Sequence, residues 1–137
     1  MNAVMTLEEA RAFFSKDRYA AELTGIVIDE IGERYAKCSL EVDARHKNAL
    51  GFLMGGVAYT LADYAFAVAT KSGWQDVTVT TVSEISYFGP CKGGRLIGEC
   101  RCLKDGKRVC FYRVDISDEL GNPVASVSTS GTHLGGK

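Results

Sequence analysis

The sequence predicts an α+β domain in which one curved antiparallel sheet wraps around a single long helix. The segment from Gly55 to Thr70 is rich in Ala and Leu, which favour helix, and it is apolar nearly all round, as buried helices are. Segments rich in β-branched or alternating residues lie on both sides of it. Because nothing else in these 137 residues can cover so apolar a helix, the strands are expected to form one sheet around it.

The first 25 residues predict two short helical pieces. Thr6 and Glu9 have the spacing of a capping box, so a helix is expected to begin after Thr6 and to run to about Lys16. A second piece, Tyr19 to Leu23, is expected to end at Gly25. We expect both pieces to cover the core, as an N-terminal helical segment (1–25) of one domain spanning 1–137.

Six further segments predict strands. The first two, 26–31 and 35–42, are expected to form a hairpin, and strict alternation in the second places Ala36, Cys38, Leu40 and Val42 on one face. Ser72-Gly73 is expected to stop the central helix. Four consecutive antiparallel strands then follow, at 77–88, 95–103, 108–117 and 124–133, separated by Gly, Pro and Asp-Gly turn signals.

Composition excludes several classes of partner. The net charge of −1 favours neither nucleic acid nor an anionic membrane, and the carboxylate in the apolar helix argues against a membrane span. No leader-like apolar run opens the chain, so we expect a cytoplasmic protein. The cysteines are odd in number and form no C-x-x-C pair, which predicts free thiols and no structural zinc site. They are Cys38, Cys91, Cys100, Cys102 and Cys110.

The central helix combines two features with chemical potential. Asp63 is the only charged residue between Gly51 and Thr70, and a carboxylate in such a helix is costly unless it is paired, hydrogen-bonded or lines a cavity. Gly55 and Gly56 open the helix, where free backbone N–H groups lie at the positive end of the helix dipole. One element therefore offers an anion site at its tip and a carboxylate in its body.

These motifs, in this order, resemble the hotdog fold and, more narrowly, the PaaI-like acyl-CoA thioesterases. The family pattern is an Asn, a Gly, then His-Gly-Gly, then Leu-x-Asp on the helix, followed by a strand that ends in an aromatic residue and a Pro. It stands here as Asn48, Gly51, Met54-Gly55-Gly56, Leu61-Ala62-Asp63, and the strand 80–90 ending in Phe88-Gly89-Pro90. The resemblance covers about residues 26–133, with Met54 in the place where many relatives carry His.

The resemblance implies hydrolysis of a thioester between an acyl group and coenzyme A, with no metal or prosthetic group. Asp63 would act as nucleophile or as general base for water, and the Gly55 N–H would polarise the thioester carbonyl. Asn48 would position the water or the substrate, and Thr80 would assist Asp63. A substrate-binding role is expected for Met54, Gly56 and Thr81.

Helix geometry predicts that the site is shared between two chains. Asp63 lies eight residues after Gly55, which is roughly 12 Å along one helix at about 1.5 Å per residue. Attack on a carbonyl held at Gly55 needs an approach of about 3 Å, so a second copy has to supply Asp63. We therefore expect an obligate homodimer, and the resemblance implies that such dimers often pair again into homotetramers.

Simpler interpretations remain open at each position. Asp63 suits a hydrogen bond in the core, the two glycines suit close helix–sheet packing, and Asn48 suits a turn. Thr80 is equally suited to an ordinary strand position, and His46 is expected to be a solvated loop residue. Beside the Asp105-Gly106 turn, cations suit either a solvated surface or coenzyme A phosphates. They are Lys104, Lys107 and Arg108.

Two other functions compete with thioester hydrolysis. A non-catalytic acyl-CoA-binding protein would be consistent with Met54 in place of His. A hotdog hydratase or dehydratase would use a His with a carboxylate, and His46 is the only His near the central helix.

Overall fold

The computed structural model describes residues 4–72 and 77–135. It contains two α-helices, a π-helical segment at Tyr19–Leu23 and a 3-10 turn at Ala44–His46. The α-helices are α1 (Leu7–Phe14) and α2 (Gly55–Lys71). The strands are β1 (Val27–Gly32), β2 (Tyr35–Glu41), β3 (Thr78–Tyr87), β4 (Arg95–Asp105), β5 (Val109–Asp118) and β6 (Pro123–His133). Of the predicted helix stop, Ser72 caps α2 and Gly73 lies outside the described residues.

The six strands form one antiparallel sheet in the order β1-β2-β4-β5-β6-β3. The expected hairpin of β1 and β2 is confirmed, and so is the β4–β5 hairpin at the Asp-Gly turn. The last four strands do not form a simple meander, because β3 pairs with β6 at one edge while β4 pairs with β2. The reason is α2, which packs chiefly against β2 and β4 and carries the chain across the sheet before β3 begins.

The core lies between α2 and the inner face of the sheet. The alternation predicted for β2 places Ala36 and Cys38 in the core, where both are fully buried. On the neighbouring β4, Leu96 and Cys100 are also fully buried. The helix approaches β4 closely at Gly98, where a Cβ would lie 3.0 Å from Leu61 Cγ. The buried side of α2 carries Ala58, Leu61, Ala62, Tyr64, Ala65, Phe66, Val68 and Ala69. Burial of one large apolar side chain stabilises a fold by about 1.5–3 kcal/mol, so Leu61, Phe66 and Val68 each contribute on this scale.

The N-terminal segment covers one end of this core, as predicted. Thr6 and Glu9 form the expected capping box, and α1 ends at Phe14, two residues before the expected end. The Phe14 ring is buried edge-on against Tyr64 of α2, with ring centroids 5.8 Å apart. The π-helical segment follows and turns at Gly25, which has a positive φ of 84°.

Two further features concern the apolar character of the helices and the state of the cysteines. None of the helices in residues 4–72 and 77–135 has the length and apolar character required to cross a bilayer. All five cysteines are free thiols, and Cys38, Cys100 and Cys110 are buried in the core.

Candidate functional site

A cavity of about 890 Å³ opens between α2, the π-helical segment and β3. It brings together four of the seven residues that were given a role in the predicted site, Met54, Gly56, Asp63 and Thr80. Asn48, Gly55 and Thr81 do not line it. The single chain therefore assembles part of the predicted site in one cavity and leaves the rest outside.

Asp63 lies on the open side of α2. The sequence predicted a helix buried all round, but Gly56 and Asp63 are exposed and Thr60 is half-buried. These three residues follow one another at helical spacing and form one stripe along the cavity. The expectation of a helix buried all round is wrong for the single chain, because the sheet covers only the side of α2 opposite to Asp63.

The local environment still disfavours the ionised form of Asp63. Surrounding protein shields the carboxyl from part of the solvent, and Asp17, just before the π-helical segment, lines the same cavity. The partial burial first, and the repulsion by Asp17 second, raise the pKa of Asp63 above its ordinary value. A carboxylate with a raised pKa is a stronger base, as proton abstraction from water requires.

Tyr87 lies close to the backbone of the first turn of α2. Tyr87 donates a hydrogen bond of 2.9 Å from its hydroxyl to the Gly55 carbonyl, and a Cβ at residue 55 would lie 2.8 Å from that hydroxyl oxygen. Within the described residues, the N–H groups of Gly55 and Gly56 have no hydrogen-bond acceptor, as is usual in a first helical turn. Gly56 faces the large cavity, whereas Gly55 lines a small depression beside Tyr87.

Asn48 organises the loop that leads into α2. Its Oδ1 accepts hydrogen bonds from the N–H groups of Leu50 and Phe52, at 2.9 and 3.1 Å. The backbone closes the same loop, because the Asn48 N–H donates to the Phe52 carbonyl and the Gly51 N–H to the Asn48 carbonyl. The side-chain oxygen of Asn48 therefore has a turn-forming role, which was one of the two interpretations left open.

A β-bulge determines which threonine faces the cavity. The register between β3 and β6 shifts between Thr80 and Val82, and bulges commonly redirect side chains beside active sites. Thr80 lines the cavity, while the Thr81 hydroxyl donates to the Ser130 carbonyl on β6 at 3.1 Å.

His46 is a structural histidine. The expectation of a solvated loop residue is wrong, because only 2% of its surface is exposed. Its Nδ1 accepts from the Asp43 N–H at 3.0 Å, which places the ring proton on Nε2, where it is donated to the Thr24 carbonyl at 2.7 Å. The His46 carbonyl accepts from the Met54 N–H at 2.9 Å. His46 thus joins the end of the π-helical segment to the start of α2.

The cations that line the cavity differ from those considered in the sequence. Lys104, Lys107 and Arg108 lie around the β4–β5 turn and do not line it. The lining cations are Arg18 and Arg45. Arg18 pairs with Glu22 at 2.8 Å, and Arg45 donates to the Leu23 carbonyl at 2.9 Å. Both guanidinium groups therefore help to hold the π-helical segment.

One group of side chains has metal-ligand chemistry. Within the described residues, the ligand atoms of Asp105, Cys110 and His133 all lie within 4.8 Å of one another. The group already forms an internal network, since His133 Nε2 bonds Asp105 at 2.7 Å, His133 Nδ1 bonds Thr78 at 2.8 Å, and Arg34 bonds Asp105 at 2.7 Å. It lies away from the cavity, near the end of α2, where the Arg34 N–H donates to the Ser72 hydroxyl.

Several lining residues were not singled out in the sequence. Asp17, Tyr19 and Leu23 come from the N-terminal segment, and Tyr59 donates from its hydroxyl to the Ser83 carbonyl at 3.0 Å. Their signal in the sequence is weak, because short helical pieces with aromatic residues also occur as simple core covers. The one signal is the spacing of Tyr19 and Leu23, two large apolar side chains at i and i+4 on a short segment.

The fold and the cavity define a hotdog protein whose central helix carries a cavity-lining carboxylate in its body and free N–H groups at its first turn. The thioesterase superfamily model matches residues 50–125, more than half of the chain. The chain belongs to the thioesterase superfamily and is a thioester hydrolase with the hotdog fold.

Relatives and solved structures agree with this assignment. Human acyl-coenzyme A thioesterase 13 is 31% identical over 102 residues, covering 72% of this chain and 71% of the relative. The PaaI protein from the Escherichia coli phenylacetic acid degradation operon is 25% identical, with a TM-score of 0.82 over 96% of this chain and 99% of that one. A thioesterase from Haemophilus influenzae shares the fold, with a TM-score of 0.86 at 21% identity, over 96% and 92% of the two chains.

Proposed function

We propose that the chain hydrolyses an acyl-CoA thioester to the free acid and coenzyme A, with Asp63 as the catalytic carboxylate. The observation that carries the proposal is the position of Asp63, which faces a cavity large enough for a ligand and has a raised pKa. The name of the human relative supports coenzyme A thioesters as the substrate class.

In this mechanism Asp63 acts as nucleophile or general base. As a base, it takes a proton from water while the water oxygen bonds to the thioester carbon. The carbonyl oxygen becomes an oxyanion, which the N–H groups of Gly55 and Gly56 stabilise. The tetrahedral intermediate collapses, the carbon–sulfur bond breaks, and the coenzyme A thiolate leaves and takes up the proton that Asp63 holds. Thr80, which lines the same cavity from β3, orients the carboxylate or the attacking water.

Loop and tip residues complete the proposed site. Asn48 holds the loop that presents the tip of α2 and retains an amide Nδ2 that can donate to water or substrate. Met54 is the N-cap residue of α2, and its exposed side chain lines the cavity where the acyl group would lie. Thr81 would contact substrate only in the assembled dimer, because in the single chain its hydroxyl donates a hydrogen bond to Ser130 of β6.

The proposed site is composite, built from two copies of the chain. Gly55 and Asp63 are separated by about 12 Å of helix, so one chain cannot present both groups to one carbonyl. β3 supports a second copy, because it is an edge strand that pairs only with β6 in the described residues. Its exposed face carries Val82, 64% exposed, beside the cavity-lining Thr80. An open edge strand with an exposed apolar side chain is suited to pairing with its own counterpart.

The dimer would place Asp63 of one copy at the α2 tip of the other. Two such sites then form per dimer, each with Asn48 and Gly55 from one chain and Asp63 from its partner. A further pairing of dimers into a tetramer is part of this proposal, and sedimentation analysis distinguishes the two assemblies.

A pair of substitutions at Gly55 tests the oxyanion role. Pro suits the first position of a helix, and Met54 has the extended ψ of 134° that a following Pro requires. Gly55→Pro removes the N–H, whereas Gly55→Ala keeps it and introduces the same Cβ contact with Tyr87. We expect kcat for Pro to fall about 10²–10³-fold below that for Ala. Equal kcat values would contradict the role.

The principal test is release of free thiol from a panel of acyl-CoAs. Hydrolysis of at least one member supports the proposal. Tight binding without thiol release would instead favour the non-catalytic acyl-CoA-binding alternative. A hydratase is disfavoured because His46, the imidazole that lines the cavity, has both ring nitrogens hydrogen-bonded to the backbone.

A further inference from the structure

The π-helical segment presents two large apolar side chains that the core does not use. Tyr19 and Leu23 are 68% and 60% exposed, and both line the cavity that contains Asp63. They are four residues apart and so lie on one side of the segment. Single π-helical turns occur frequently at functional sites.

The π-helical segment runs alongside α2 in the opposite direction. Its leading end lies near the middle of α2, since the Tyr64 hydroxyl donates to the Phe14 carbonyl at 3.5 Å and Asp17 lines the same cavity as Asp63. Its trailing end lies near the start of α2, because Thr24 bonds His46, whose carbonyl bonds the N–H of Met54. The cavity is the groove between these two antiparallel elements.

Small residues on α2 keep this groove open. Gly56 has no atom within 4 Å of the position that a Cβ would occupy, and Thr60 lies one turn further along. From Asp63 back to Gly56 the groove extends seven residues, about 10 Å along the helix axis. Leu23 and Met54 lie at the far end of this path from Asp63.

We propose that this groove is the acyl-binding site, with Tyr19 and Leu23 as specificity-determining residues that select an extended apolar acyl group over acetyl. The proposal rests on the proposed function and names its substrate class. An acetyl group held beside Asp63 would leave Leu23 uncovered, whereas an eight-carbon chain extends along the groove and removes both apolar side chains from water. His46 and Arg45 hold the end of the π-helical segment through hydrogen bonds to the carbonyls of Thr24 and Leu23. The groove is therefore formed before substrate binds.

Leu23→Ala tests the proposal, with Leu120→Ala as the matched control. Leu120 is also an exposed leucine, at 67%, but it lies in the β5–β6 turn and does not line the cavity. We expect Leu23→Ala to lower kcat/KM for octanoyl-CoA about tenfold and to leave that for acetyl-CoA within about twofold. Tyr19→Ala is expected to act in the same direction, and Leu120→Ala to change neither value.

Two outcomes would overturn the acyl groove. In one, Leu23→Ala lowers kcat/KM equally for octanoyl-CoA and acetyl-CoA, and in the other it lowers kcat/KM for neither. Calorimetry with non-hydrolysable octyl and ethyl thioethers of coenzyme A separates this inference from the proposed function. Tighter binding of the octyl thioether, lost in Leu23→Ala, supports the groove even if no acyl-CoA is hydrolysed. Equal affinity for the two thioethers contradicts it.

Discussion

Replacement of Asp63 by Asn should reduce activity while it increases stability. Asn keeps the volume of the side chain and removes the base, so kcat is expected to fall by about two to four orders of magnitude. The pKa of Asp63 is raised in the fold, so the folded chain binds this proton more tightly than the unfolded chain does. Stability is therefore lost as the pH rises from the ordinary Asp pKa, about 3.9, through the raised value. The Asn variant does not undergo this loss.

The assay is thiol release at pH 7 beside thermal melting at pH 7 and at pH 3.5. Asp63→Asn should melt above the parent at pH 7, by a small margin because the carboxyl is partly solvated, and the difference should vanish at pH 3.5. Asp115→Asn is the control, since Asp115 is an exposed carboxylate outside the cavity. Near-parental activity in Asp63→Asn would refute the catalytic assignment, and a melting temperature below that of the parent at pH 7 would contradict the raised pKa.

Three further changes have defined outcomes. Asp17→Asn removes a negative charge beside Asp63, so the acidic limb of kcat/KM against pH should move to lower pH. Met54→His should keep the fold, since Met54 is 53% exposed and makes no cap hydrogen bond, and we expect a higher kcat with an unchanged circular dichroism spectrum. Burial opposes ionisation of Asp118, but hydrogen bonds from Asn122, Lys92 and Leu120 bring its pKa to about 2. The stability that ionised Asp118 supplies should be present above about pH 4 and be lost as the pH falls toward 2. Urea titrations should show this loss of unfolding free energy in the parent and not in Asp118→Asn.

The fold was predictable because each element carries a local signal. The alternation in β2, the capping box of α1 and the apolar α2 depend on neighbouring residues, which the sequence lists in order. The pairing of β3 with β6 was missed because strand order depends on the path around α2, a long-range property.

The site was predictable only in part, for a related reason. Asp63 and Thr80 stand out through motif and composition, and the cavity does bring them together. The burial of His46 depends on Thr24, which lies 22 residues earlier in the chain. The acyl groove arises from the packing of two elements whose residues, Tyr19 and Leu23, have no chemical signal of their own.

Subunit mixing tests the composite site most directly. Asp63→Asn and Gly55→Pro chains, carrying tags of different size, are unfolded together and refolded, and the mixed dimers are isolated. One of the two sites in each mixed dimer then combines the intact Asp63 of one chain with the intact tip of the other. A 1:1 refolding mixture should regain about a quarter of the parental activity, since half of the dimers are mixed and each has one intact site. Mixed dimers that form but remain as inactive as either variant alone would contradict a site shared between chains.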